Sequence, residues 1–223
     1  MKQIPIKNLA MLTRLDAMAQ SLYKFPHTFT SGPRNPDVSY AKLRTYMANA
    51  DFVGYPKEHN YQDYTGVQGG GREENRGHPN PFRSDFKEMK TWLLETFRAG
   101  IVGAQSEDWY YDTLTVMPAD VGFTGWHNNK NKPHHSLRFI HNAGRGYSYS
   151  VENGTRYTIP DQWRLSGAGH WTVLHTLFDE DGETWFADQN VGGKPRFVMD
   201  LAIKPRYANK IDAAIKFLTQ FSV

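Results

Sequence analysis

The chain has 223 residues, 39% hydrophobic and 14% aromatic, enough for one domain with a sizeable core. Its 26 basic and 23 acidic residues leave a formal charge of +3, which permits an anionic partner without the clustering of a polybasic tail. With no cysteine, disulfides and thiolate metal sites are excluded, so a metal would need His, Asp, Glu, Asn or carbonyl oxygen, and a cytoplasmic setting is expected.

The N-terminal stretch MKQIPIKNLAMLTRLDAMAQ predicts an amphipathic helix rather than a leader, because charges interrupt it every few residues. No apolar run approaches the roughly 20 residues of a membrane span, so a soluble protein with no membrane partner is expected. Leu9, Leu12, Leu15 and Leu22 recur at near-helical spacing, and Tyr40, Leu43 and Met47 repeat it in SYAKLRTYMANADF. Residues 61–81 are rich in glycine, proline and charge, and read as a long exposed loop, either a functional lid or a disordered segment. Its triple glycine is not a phosphate loop, since no Gly-Lys-Ser/Thr follows. Ser84 can cap a third helix, with Phe86, Met89, Leu93 and Phe97 on one stripe and Gly100 at its end.

From Asp112 the pattern changes. DTLTVMPADVGF, SLRFIHN, GYSYSV, TRYTIP, HWTVLHTLF, ETWFADQ and RFVMDLAI are short runs rich in β-branched and aromatic residues, separated by turn signals such as Glu-Asn-Gly-Thr and Asp-Glu-Asp-Gly. Seven or eight strands after a helical preface predict an α+β chain, an antiparallel sandwich or barrel with helices against one sheet. RYANKIDAAIKFLTQF closes the chain as a helix, with Tyr207, Ile211, Ile215 and Leu218 on one face. A single domain over 1–223 is expected, divided into helical support and loop (1–111), β core (112–205) and C-terminal helix (206–223).

GFTGWHNNKNKPHH concentrates polar chemistry at a strand end. A lone strand-end histidine such as His127 is more often a hydrogen-bonded structural residue than a ligand. Asp188 in TWFADQ and Arg196 opening RFVMDLAI change that balance, because in a jelly roll the last two strands return beside the one carrying the histidine. A neutral imidazole with a carboxylate suits Fe(II), Mn(II) or Ni(II), and a nearby guanidinium can clamp a dicarboxylate.

The segment from MPADVGFTGWHNN to PRFVMDLAI resembles the double-stranded β-helix core of the Fe(II)/2-oxoglutarate-dependent dioxygenases, especially the prolyl-hydroxylase-like and virus-encoded members with a Gly-Trp-His motif. The resemblance spans about the last half of the chain and implies a jelly roll of about eight antiparallel strands. It places His127 on the first metal ligand, Asn129 on the usual carboxylate, Asp188 on the usual second histidine and Arg196 on the basic residue that holds 2-oxoglutarate. Arg138 is a second candidate for the cosubstrate. Two of the three metal positions are substituted, giving a His-Asn-Asp set in which Asn129 offers only a neutral oxygen. The implied activity is an oxygenase that hydroxylates a substrate not legible in the sequence, with Fe(II) and 2-oxoglutarate as cofactors. In that reading His127 and Asp188 stand within metal-bridging distance.

Other histidines compete for the metal. His175 shares a strand face with Trp171, Val173 and Leu177 and is disfavoured by its separation from Arg196. His134 and His135 are expected in a lysine-rich loop, exposed or facing substrate. His141 alternates with Phe139 and Leu137 and is expected to face the sandwich interior as a satisfied core residue. Tyr147, Tyr149, Trp163, Arg138, Arg145 and Arg156 mix aromatic and basic character, as a surface for single-stranded nucleic acid does. The rival reading is therefore a non-catalytic jelly-roll binding module with a degenerate metal site, recognising nucleic acid or a protein partner.

Overall fold

The computed structural model describes residues 1–24, 37–48, 62–63, 109–120, 122–128, 133–161, 171–181 and 183–220. The helix expected over 84–100 lies outside them, as does the 61–81 loop apart from two residues. Ten strands are described: β1 (Lys2–Ile4), β2 (Gln62–Asp63), β3 (Trp109–Met117), β4 (Phe123–His127), β5 (His134–Asn142), β6 (Gly146–Glu152), β7 (Thr155–Pro160), β8 (Trp171–Phe178), β9 (Trp185–Asn190) and β10 (Arg196–Ile203). Three α-helices accompany them: α1 (Leu9–Lys24), α2 (Tyr40–Met47) and α3 (Asn209–Thr219).

The strands form two antiparallel sheets, one in the order β1-β8-β5-β10-β3-β2 and the other β4-β9-β6-β7. Successive strands from β3 to β8 cross between the sheets or turn in hairpins, and β9 and β10 return between earlier neighbours. This is the double-stranded β-helix, or jelly roll, of eight strands, extended by β1 and β2 at the edges of the larger sheet. The fold is α+β. The β6–β7 hairpin closes through Asn153 and Gly154, both at positive φ (48° and 74°), the backbone a two-residue type I′ turn requires.

Each sheet carries helices on its outer face. α1 is capped by Asn8, whose side chain accepts from Met11 N at 3.1 Å, and buries Met11, Leu15 and Ala19 at four-residue spacing. Leu9, expected in the apolar stripe, is 59% exposed, because the inward face follows Met11 rather than the leucines. α3 adds Ile211, Ala214 and Leu218, so that both helices cover Leu137, Phe139, Phe197, Met199 and Leu201 of the large sheet. Against the small sheet, α2 is capped by Ser39 and inserts Leu43 between Trp126, Val151, Trp185 and Ala187. The first residues differ from expectation: residues 2–4 pair with β8 as an edge strand, and the helix starts only after Asn8.

Inside the barrel, Met117, Ile140, Leu174 and Val198 form a small apolar layer. The faces of β5 are assigned oppositely to the expectation. Leu137, Phe139 and His141 look outward to α1 and α3, while Ser136, Arg138, Ile140 and Asn142 look into the barrel. Eight of the nine residues from His134 to Asn142 are buried, pointing to both faces, so alternation alone cannot say which face is interior.

Candidate functional site

His127 ends β4 and lies opposite Phe186 of β9, the two rings edge-on with centroids 5.6 Å apart. Its Nδ1 stands 2.9 Å from the Gly125 carbonyl, which places the proton of the neutral ring on that nitrogen. Asp188 is two residues further along β9, opposite Thr124, and shares the inward face with Phe186. The cross-strand neighbour of His127 is thus a phenyl ring, with the guanidinium of Arg138 stacked 3.8 Å above it.

Asp188 is wholly buried and engaged through both oxygens. Oδ1 accepts from Arg196 Nη1 at 2.8 Å and from Ser148 Oγ at 2.8 Å, and Oδ2 accepts from Arg138 Nη2. Burial pushes its carboxyl upward, but the charges of Arg138 and Arg196 and their hydrogen bonds outweigh burial and hold it at about 2.

Arg196, at the first position of β10, has no exposed surface. Nε and Nη2 grip Asp161 bidentately at 2.8 and 2.9 Å, Nη2 also donates to Ser148 Oγ at 2.9 Å, and Nη1 divides between Asp188 and the Met117 sulfur. A guanidinium has five N–H donors, and here each has an acceptor. Burial pulls its pKa down, while Asp161 and then Asp188 more than reverse this. Asn142 Nδ2 steadies Asp161 at 2.7 Å, and Asn190 Nδ2 donates to the Pro118 and Lys194 carbonyls at 2.8 and 2.9 Å, joining the turns that follow β3 and β9. Gly146 passes beside this cluster so closely that a Cβ there would stand 2.1 Å from Asp161 Oδ2.

The structure brings Asp188, Arg196 and Arg138 together, as the sequence suggested, but in a different chemical role. Asp188 neutralises two arginines instead of facing a cation, and a dication beside it would meet two guanidinium charges. Arg196 holds the chain's own carboxylates where a bound dicarboxylate was expected, and Arg138 spans Asp188 and, at 3.7 Å, Asp200. These residues do not fit an Fe(II) ion with 2-oxoglutarate. Asn129 lies outside the described residues, and among those described no three His, Asp or Glu side chains gather as a metal-ligand set.

The remaining histidines are also relocated. His134 is buried and stacked on Phe178, and His135 belongs to β5 rather than to a loop. His141 sits in edge contact with Tyr23 and Trp171 beneath α1. His175 faces the helix-covered side of the large sheet, away from His127. Of the aromatic and basic set, Arg138 is interior and Trp163 lies outside the described residues, while Tyr147, Tyr149 and Arg156 share the outer face of the small sheet, Tyr147 stacked on Tyr149, Tyr149 packed beneath α2 and Arg156 3.2 Å over the Tyr40 ring. Sequence reasoning missed Asp161, Asn142 and Ser148. The available signal was GYSYSV, whose serines alternate with tyrosines and turn the hydroxyls inward.

No family model and no curated protein matches the chain. Solved structures with some likeness include a predicted oxalate decarboxylase from Thermotoga maritima, with 17% identity, a TM-score of 0.29, and coverage of 44% of this chain and 69% of that one. The Cnp3 cupin domain of Schizosaccharomyces pombe shows 14% identity and a TM-score of 0.30, over 50% and 63% of the two chains. Drosophila melanogaster CENP-C bound to CAL1 shows 14% and 0.28, over 53% and 98%. Likeness at this level carries no argument about activity. Among the described residues, no helix is long and apolar enough to cross a membrane.

Proposed function

We propose that this jelly roll is a non-catalytic binding module, in which internal ion pairing stands where the dioxygenases bind metal and cosubstrate. The observation that carries this reading is the saturation of Arg196: all its N–H groups have acceptors within the chain, and Asp161 takes the bidentate position. A 2-oxoglutarate carboxylate would have to displace a buried carboxylate from a matched pair and leave it unpaired, at a cost of several kcal/mol. Phe186 opposite His127 supports the same reading, since a phenyl ring cannot ligate a metal. Recognition then falls to the outside of the barrel, where Arg145 and Tyr157 remain exposed.

The test is an anaerobic titration of the metal-depleted protein with Fe(II) and 2-oxoglutarate, followed by visible absorption. No charge-transfer band is expected. A saturable band that disappears in Arg196→Lys, a variant unable to make the bidentate grip, would overturn the reading and restore the oxygenase.

A further inference from the structure

We propose that His135 and His175, on the outer face of the large sheet, form a two-histidine chelate for a divalent transition ion such as Cu(II) or Zn(II). The inference concerns the side of the sheet away from the barrel and is independent of the function proposed above.

The two residues are diagonal neighbours on adjacent antiparallel strands, His135 facing Leu177 and His175 facing Leu137. His135 Nδ1 and His175 Nε2 stand 3.1 Å apart. The ring planes are 15° from parallel and the centroids 5.3 Å apart, so the two nitrogens meet almost end to end between the rings. Without a metal, one N–H···N bond joins them. A metal–imidazole bond is roughly 2.0–2.1 Å, and two such bonds at 90–110° hold their nitrogens about 2.8–3.4 Å apart. The observed separation lies in that range, so an ion enters by tilting the rings without moving the strands. The imidazole that donated shifts its proton to its outer nitrogen, and no net proton is released.

Two further features favour a cation here. Burial, chiefly, keeps both rings uncharged at neutral pH, the form that ligates. Asp212, in the first turn of α3, acts on both rings as a nearby negative charge. Leu177 beside the pair is 48% exposed, leaving a side open for the water or partner atoms that would complete coordination.

The experiment titrates the metal-depleted full chain with Cu(II), reading affinity by calorimetry and ligand nitrogens by electron paramagnetic resonance, with Zn(II) in parallel. One ion per chain with two-nitrogen splitting is expected. His135→Ala and His175→Ala should each weaken binding by at least about 10–100-fold, the loss that removal of a mere supporting group causes at such sites, while His127→Ala leaves it unchanged. His135→Gln and His175→Gln, which keep a polar side chain, repeat the comparison if the alanine variants fold poorly. Unchanged affinity in the His135 and His175 variants, a loss confined to His127→Ala, or no saturable binding by the wild type would each overturn the proposal.

Discussion

Asp188 shows how one carboxylate on a familiar spacing can carry a different chemistry. Its position relative to Arg196 was legible in the sequence, eight residues apart across one turn, but its role depended on Arg138 and Asp161, which lie 50 residues before Asp188 and 35 before Arg196. Asp188→Asn leaves two buried guanidiniums short of a counter-charge, and a loss of about 3–5 kcal/mol in denaturant unfolding is expected. The acid limb follows from the same contacts. Because the folded-state carboxyl is held at about 2, below its ordinary value of 3.8, its contribution is complete above pH 4 and is lost as pH falls from there towards 2. The His135–His175 pair acts in a higher window. His175 is lowered to about 4 by burial first, then by His135, the Met1 amino group and Lys2, with Asp212 opposing, and His135 is lowered by burial and His134. Between pH 6.5 and 4 the unfolded chain binds more protons, so stability of the metal-free protein should fall as pH drops through that window. Glutamine at position 175 should flatten this slope in urea unfolding at stepped pH; an unaltered slope would assign it elsewhere.

At the scale of elements, the strands were readable and their facing was not. Runs such as RFVMDLAI and HWTVLHTLF announce themselves by β-branched and aromatic content, and Asn153–Gly154 announces its hairpin. Yet β5 and β10 are sandwiched between helices on one side and the barrel on the other, and a strand covered on both faces loses the polar alternation that reports direction. Here the more apolar face meets the helices, and the barrel interior takes the arginines. α2 gives a separate test of element packing. Leu43 is its wholly buried anchor against the small sheet, while the Trp126 indole donates to the Ser39 carbonyl at 3.0 Å. Leu43→Ala should cost about 2–5 kcal/mol and increase hydrogen exchange in α2 before the barrel, whereas uniform exchange across both would show α2 to be no separate unit.

For the molecule as a whole, β10 is the organising strand. It lies between β5 and β3 in the large sheet, and its first residue supplies the guanidinium that joins that sheet to Asp188 and Asp161 on the other side of the barrel. The contact from Arg196 to Met117 spans 79 residues of sequence, and that from Arg138 to Asp188 spans 50. Chain closure over such separations must precede the reward of pairing, so the order of events in folding is constrained: the β6–β7 hairpin can form locally, while β10 must wait for β3 and β5. Matching four buried charges also requires both sheets to be in register at once. Refolding of this jelly roll should therefore be slow for its size, in the millisecond-to-second range of barrels rich in distant contacts. A Ser148→Ala variant, which loosens the network without removing a charge, should speed unfolding while leaving the refolding limb of the chevron almost unchanged. A matching slowdown of refolding would instead place the charge cluster in the nucleus, making these arginines and aspartates the residues that choose the topology as well as the ones that seal it.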